Sequence, residues 1–142
     1  MLKDILADRI QIADTAKDWK KAIEMVIEPL RQEGIVEERY IQAIYDNVKM
    51  NGDYFIIMPG FAMPHTRPEN GALKNGLSFL KLRKPVVFSS GQEVSYLMGI
   101  AAKDADAHVD TLAELAEVLM DEETMKKIEN ADTVNELMEI LE

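Results

Sequence analysis

Residues 94–102, VSYLMGIAA, decide the fold. Nine residues with no charge suit a strand covered on both faces, because a strand wet on one face would alternate apolar with polar. Lys103, Asp104, Ala105 and Asp106 close the run, and Ser89, Ser90, Gly91 and Gln92 supply a turn before it. Upstream, Leu77, Phe79, Leu80 and Leu82 begin a strand with imperfect alternation that Lys84 and Pro85 are expected to end, with Val86–Phe88 as a further short one. The residues from Tyr54 to Met58 form another β-prone run after a turn at Asn51 and Gly52. Between Phe61 and Gly76, Pro64, Pro68, Asn70, Gly71 and Asn75 are too many punctuating residues for a regular element and predict a loop of fixed local shape.

Helical periodicity brackets these strands. Trp19, Ile23, Val26, Ile27 and Leu30 recur at three and four and share a face, in a helix expected from about Thr15 with Asp14 or Thr15 as cap and Gly34 as stop. Glu37 and Glu38 open a second helix with Tyr40, Ile41, Ile44 and Val48 inward. Leu112, Leu115 and Leu119 set a stripe beginning near His108, and Asp121 or Asp132 can cap the remaining pieces. The first segment is a short helix or turn around Ile5 and Leu6, followed by an apolar stretch with Ile10 and Ile12. Helices before and after a block of strands predict an α/β fold, a single three-layer sandwich with a mixed central sheet flanked by helices, in one domain over residues 1–142.

Composition excludes several functions. The 142 residues are 47% hydrophobic, enough for a continuous core. Sixteen basic against 26 acidic side chains give a net charge of −10, which repels a phosphate backbone, so no nucleic-acid partner is expected. With no cysteine, there is no disulfide, thiolate nucleophile or thiolate metal site. No run approaches the roughly 20 apolar residues of a membrane span, and the N-terminus lacks a signal-peptide core, so the expected location is cytoplasmic. Phosphate-loop, dinucleotide, zinc-pair and nucleophile-elbow motifs are absent.

Chemistry concentrates at two histidines, His65 in MPGFAMPHTRPENG (58–71) and His108 in DADAHVDTLAELAEVL (104–119). Pro64, Pro68 and Gly60 can fix the His65 imidazole, whose second nitrogen is expected to donate to a backbone carbonyl and so set the tautomer. Arg67 can clamp the oxygens of a transferring phosphoryl group, or pair with Glu69 in solvent. His108 either starts a helix that faces a phosphate or packs beside Leu112; two unrelated surface histidines are equally compatible with these residues.

The segments PGFAMPHTRPENG (59–71) and DAHVDTLAELAEVLMD (106–121) together resemble the enzyme IIA domains of the fructose and mannitol class in the bacterial sugar phosphotransferase system, with the ascorbate-type branch the best fit. That resemblance implies an α/β sandwich and a phosphocarrier step without cofactor or metal. His65 matches the histidine that accepts phosphate from the carrier HPr and passes it to enzyme IIB, and His108 matches the assisting histidine. The membrane enzyme IIC would be reached through the complex. Mannitol-type relatives carry an arginine before the histidine motif; here NVKMNGDYF (47–55) offers only Lys49, which leaves Arg67 or a cation from the partner as alternatives. The acidic surface suits a basic carrier, and Phe61 and Met63 are expected to exclude water from the docked pair. A phosphorylation-controlled regulatory or binding module without a transport role, or a small metal-dependent hydrolase, are the competing classes.

Overall fold

In the computed structural model the described residues are Leu6, residues 8–103, Ala113, Glu117, Val118 and residues 120–141. His108, Ile5, Leu112, Leu115 and Leu119 therefore lie outside the described residues. Strands β1 (Ile10–Ala13), β2 (Ile56–Met58), β3 (Gly60–Ala62), β4 (Gly76–Val87) and β5 (Glu93–Ala101) form one sheet in the order β1-β4-β5-β3-β2. β1 runs parallel to β4 and β3 parallel to β5, whereas β4/β5 and β2/β3 are antiparallel, so the sheet is mixed. Helices α1 (Trp19–Gln32), α2 (Arg39–Asn51), α3 (Glu122–Asn130) and α4 (Val134–Ile140) complete the described elements, with a 3-10 turn over Pro68–Asn70.

The apolar run of β5 is the middle strand, as its composition requires, and its residues divide between two cores. Leu97 and Ala101 pack with Ile23, Val26, Ile27 and Leu30 of α1 and with Ile41, Ile44 and Val48 of α2. Met98 and Ile100 pack the other way, with Ile128, Leu137 and Leu141 at the C-terminal end of the chain. One core on each side of the sheet makes the three-layer sandwich. The imperfect alternation of β4 has the same cause: Leu80 and Leu82 enter the first core, Leu77 and Phe79 the second. Both faces demand apolar side chains, so a simple two-residue period cannot appear.

Pro85 does not end β4. The strand continues to Val87, and its pairing with β5 shifts register between Lys81 and Val86, so the proline occupies an irregularity where its missing N–H breaks no ladder. The first long helix starts later than its hydrophobic pattern suggests: Asp18, not Asp14 or Thr15, is the N-cap, its carboxylate accepting from Lys21 N–H at 2.8 Å. Pro29 lies inside α1 and cannot donate to the Met25 carbonyl one turn back. Gln11 on β1 supplies the missing donor, its Nε2 reaching Met25 O at 2.9 Å. Asp121 holds the N-cap position of α3, but Thr133 and not Asp132 caps α4, accepting from Glu136 N–H at 3.2 Å. Among the described residues no helix is long and apolar enough to cross a membrane.

Lys81 is the one lysine of β4 that points into a core. Its Nζ donates to the carbonyls of Ile128 at 3.0 Å, Glu129 at 2.7 Å and Ala131 at 2.5 Å around the end of α3, where Ile128 O also accepts from the Ala131 N–H at 3.3 Å. Burial pulls the ammonium below the ordinary lysine range, against the pull of the Asp132 carboxylate. Lys81→Met keeps most of the buried stem but removes the ammonium donor that these carbonyls share, and a loss of about 2 kcal/mol is expected as a lower urea midpoint with an unchanged slope.

Candidate functional site

The site begins where β3 leaves the sheet. The segment containing it was expected to be irregular throughout, but Gly60–Ala62 is a short strand wedged between β5 and β2. Tyr54, placed in a strand by its β-prone neighbours, precedes β2 and lies outside it. Because β3 and β5 are parallel neighbours, their carboxyl ends emerge together, a common setting for reactive groups in α/β sheets. Ile100 N–H donates to Pro64 O at 3.2 Å and holds the chain leaving β3 against the end of β5. The next residue is His65.

The imidazole is half-buried, and its Nδ1 lies 2.6 Å from Met63 O. A carbonyl only accepts, so Nδ1 carries the proton and the lone pair of the neutral ring resides on Nε2. The Tyr54 ring meets the imidazole edge to face, with centroids 5.6 Å apart and planes at 78°, and the Tyr54 phenol donates to His65 O. Burial pushes the Tyr54 phenol up, while a hydrogen bond with the Asn47 side chain works the other way.

Thr66 anchors the loop from the opposite side. Its N–H donates to Tyr40 Oη at 3.2 Å, and its hydroxyl oxygen accepts from Asn47 Nδ2 at 2.5 Å and from Asn70 Nδ2 at 2.9 Å. Tyr40, almost wholly buried, donates to Ile100 O at 2.8 Å. One phenol thus ties helix α2, the β5 end and the histidine loop together. Sequence periodicity recognises Tyr40 as an inward-facing residue; the obligation of a buried hydroxyl to find a partner is the signal for its second role. Asn47 and Tyr54 carry no such signal, since their partners are set by tertiary structure, whereas Asn70 reaches Thr66 within the loop itself.

Burial raises the Tyr40 phenol to about 12, from 10.0. Its raised value adds stability that is complete below pH 10 and is lost as pH rises toward 12, where the unfolded chain has already released the proton. The loss expected from this group is about 2–3 kcal/mol. Tyr45 is also raised to about 12 by burial, and it is common to wild type and variant. Urea titrations at pH 9 and pH 12 are therefore expected to show a smaller alkaline loss for Tyr40→Phe than for wild type.

The other expected residues fare unequally. Arg67 is exposed two positions beyond His65, and the Glu69 pairing does not form: among the described residues Arg67 makes no ion pair, and it is Arg39 Nη2 that reaches Glu69 O, at 3.0 Å. Lys49 is exposed on α2, two residues past Asn47 and hence about 200° round the helix from it. Phe61 and Met63 are core residues and not part of the surface around His65. Phe61 is 1% exposed and packs with Phe79 and Tyr96 in the second core, and Met63 is buried beside it, so neither is available to a docking partner. Met63 contributes its carbonyl instead. His108 lies outside the described residues; the segment bearing it follows the end of β5 that Tyr40 joins to Thr66.

The chain as a whole is similar to proteins of known kind. The Escherichia coli K12 "Mannitol-specific cryptic phosphotransferase enzyme IIA component" is 40% identical over 133 residues, spanning 93% of this chain and 90% of its own. The "Ascorbate-specific PTS system EIIA component" of the same strain is 35% identical, over 99% of this chain and 95% of its own. The solution structure of the E. coli mannitol-specific cryptic enzyme IIA superposes with a TM-score of 0.91 at 38% identity, covering 99% and 97% of the two chains. The profile of one family, described as "Phosphoenolpyruvate-dependent sugar phosphotransferase system, EIIA 2", matches residues 5–142, and the chain belongs to that family.

Proposed function

We propose that this enzyme IIA domain is a phosphohistidine carrier whose acceptor atom is Nε2 of His65, taking phosphate from phosphorylated HPr and giving it to an enzyme IIB component. The observation that carries the reading is the Nδ1 contact with Met63 O, which leaves Nε2 as the nucleophilic nitrogen. In the forward step the Nε2 lone pair attacks phosphorus in line, an N–P bond forms on His65, and the N–P bond of the carrier breaks with its electron pair returning to the carrier imidazole. Attacking and leaving groups are both imidazoles, so the step is close to balanced, and positioning with charge stabilisation supplies the rate. The Nδ1 proton stays on His65. The ring gains positive character as the bond forms, and Met63 O accepts a stronger hydrogen bond from it.

Arg67 supplies a planar cation for the phosphoryl oxygens, free of any competing carboxylate among the described residues. His108 assists the reacting ring from the segment after β5. The partners follow from this relay: HPr upstream, IIB downstream, and IIC in the membrane through IIB. The sugar is carried by the IIB–IIC pair, and the ascorbate-type reading rests on the PHTRPENG segment and on the 35% identity that spans 99% of this chain. Incubation of the pure protein with phosphorylated HPr is expected to add the mass of one phosphoryl group, and addition of an ascorbate-type IIB to remove it. Retention of the phosphate with that IIB but discharge to a mannitol-type IIB would reassign the sugar; no phosphate uptake from HPr would overturn the carrier reading.

A further inference from the structure

On the reading that His65 is the acceptor, we infer that Asn47 is a positioning residue for it, through a clamp on Thr66, the residue that follows the imidazole. Helix α2 presents two polar groups on its buried side, Tyr40 and Asn47, seven residues or about two turns apart, so both face the loop. They grip the same residue. Tyr40 Oη receives the Thr66 N–H at 3.2 Å and Asn47 Nδ2 donates to the Thr66 hydroxyl at 2.5 Å, while Asn70 Nδ2 donates to that hydroxyl at 2.9 Å. With two amide donors on its oxygen, the Thr66 side chain has no acceptor capacity left and no freedom to rotate. On the other flank of the imidazole, the Tyr54 phenol donates to the His65 carbonyl while its ring lies edge to face with the imidazole.

Asn47 therefore fixes the backbone after His65 through Thr66. The consequence is specific. The Nδ1 proton reaches Met63 O only if the imidazole keeps its present orientation relative to a carbonyl two residues back. A loop released from the clamp lets the ring leave that carbonyl, and the Nε2-protonated tautomer, which has no lone pair where phosphorus must arrive, then becomes populated. Asn47 touches no reacting atom in this account; it acts on the orientation and tautomer of one that does.

The experiment uses the full chain with 15N-labelled histidine. Asn47→Ala removes the amide contact to Thr66 at a half-buried helical position where alanine is a favourable residue. The wild-type His65 spectrum is expected to report the Nδ1-protonated form, and Asn47→Ala a mixture of tautomers, with phosphorylation by phospho-HPr slowed about tenfold or more. Thr66→Val, which keeps the shape and removes the clamped oxygen, is expected to shift both readouts in the same direction and serves as the deciding variant if Asn47→Ala fails to fold. An unchanged tautomer and a rate within about twofold of wild type in either folded variant would overturn the role of Asn47. Acceptance by His65→Ala would instead overturn the underlying assignment of the acceptor, so the two failures are separable.

Discussion

His65→Ala is expected to accept no measurable phosphate from phosphorylated HPr, a loss of at least about 10³-fold, because it removes the nucleophile itself and not one of its supports. The substitution should leave the fold intact. The imidazole is half-buried at the mouth of a loop, and the bonds that hold this loop use the backbone and side chain of Thr66, the Pro64 carbonyl and the His65 carbonyl, all of which remain. Melting temperature and far-UV circular dichroism are expected to match wild type, while mass analysis after incubation with the phosphorylated carrier shows no added phosphoryl group. An intact fold without acceptance separates the chemical role of the ring from a packing role. His108→Ala and Arg67→Ala are expected to retain acceptance and to slow transfer, since each would stabilise the transferring group without forming the bond.

Gly99→Ala is expected to destabilise the domain by about 3 kcal/mol, the largest stability effect of any single methyl addition in the sheet. Gly99 lies on the face of β5 against which α1 packs, and a Cβ there would fall 2.4 Å from Ser78 Oγ, 3.0 Å from Ile27 Cδ1 and 3.2 Å from the Val26 carbonyl oxygen. Ser78 cannot simply turn aside, because its buried hydroxyl donates to Val26 O at 2.5 Å, and the backbone carbonyl cannot move without shifting the helix. Removing the hydroxyl opens part of the space. The double variant Ser78→Ala/Gly99→Ala is therefore expected to be more stable than the sum of the two single losses, by 1 kcal/mol or about that, as a coupling between contacting residues. Equal urea midpoints for Gly99→Ala and wild type would show that α1 does not approach the sheet this closely.

Both sites show which parts of the architecture the amino-acid order makes legible. The middle position of β5 follows from a nine-residue run with no charge, and the inner faces of α1 and α2 follow from their three-and-four spacing; the buried residues Ile23, Val26, Ile27, Leu30, Ile41, Ile44 and Val48 are those the pattern names. β3 is illegible because Pro59, Gly60 and Pro64 dominate its local chemistry, and three residues become a strand only through hydrogen bonds to β5 more than 30 positions away. The length of β4 is hidden for a related reason: Pro85 is compatible with a strand only where the ladder is already irregular, and the register shift that permits it is a property of the β4/β5 pair. In the site, His65 and Arg67 are visible through their neighbours, and the histidine's need for a carbonyl partner predicts the Met63 contact in kind. The clamp around Thr66 is not, since Asn47 lies 19 residues and Ile100 some 34 residues from it and nothing local distinguishes Asn47 from a solvated helical asparagine. Phe61 and Met63 mislead for a simple reason: closeness in sequence to a half-buried histidine says nothing about which face of a strand a side chain takes.

The proposed transfer turns on which nitrogen of His65 bears the phosphoryl group. Two-dimensional 1H–15N and 31P spectra of the wild-type protein, recorded after phosphorylation by HPr, report the attachment atom directly. Phosphorus bonded to Nε2, with the Nδ1 proton retained, is the predicted result; phosphorus on Nδ1, or on any other residue, would contradict it.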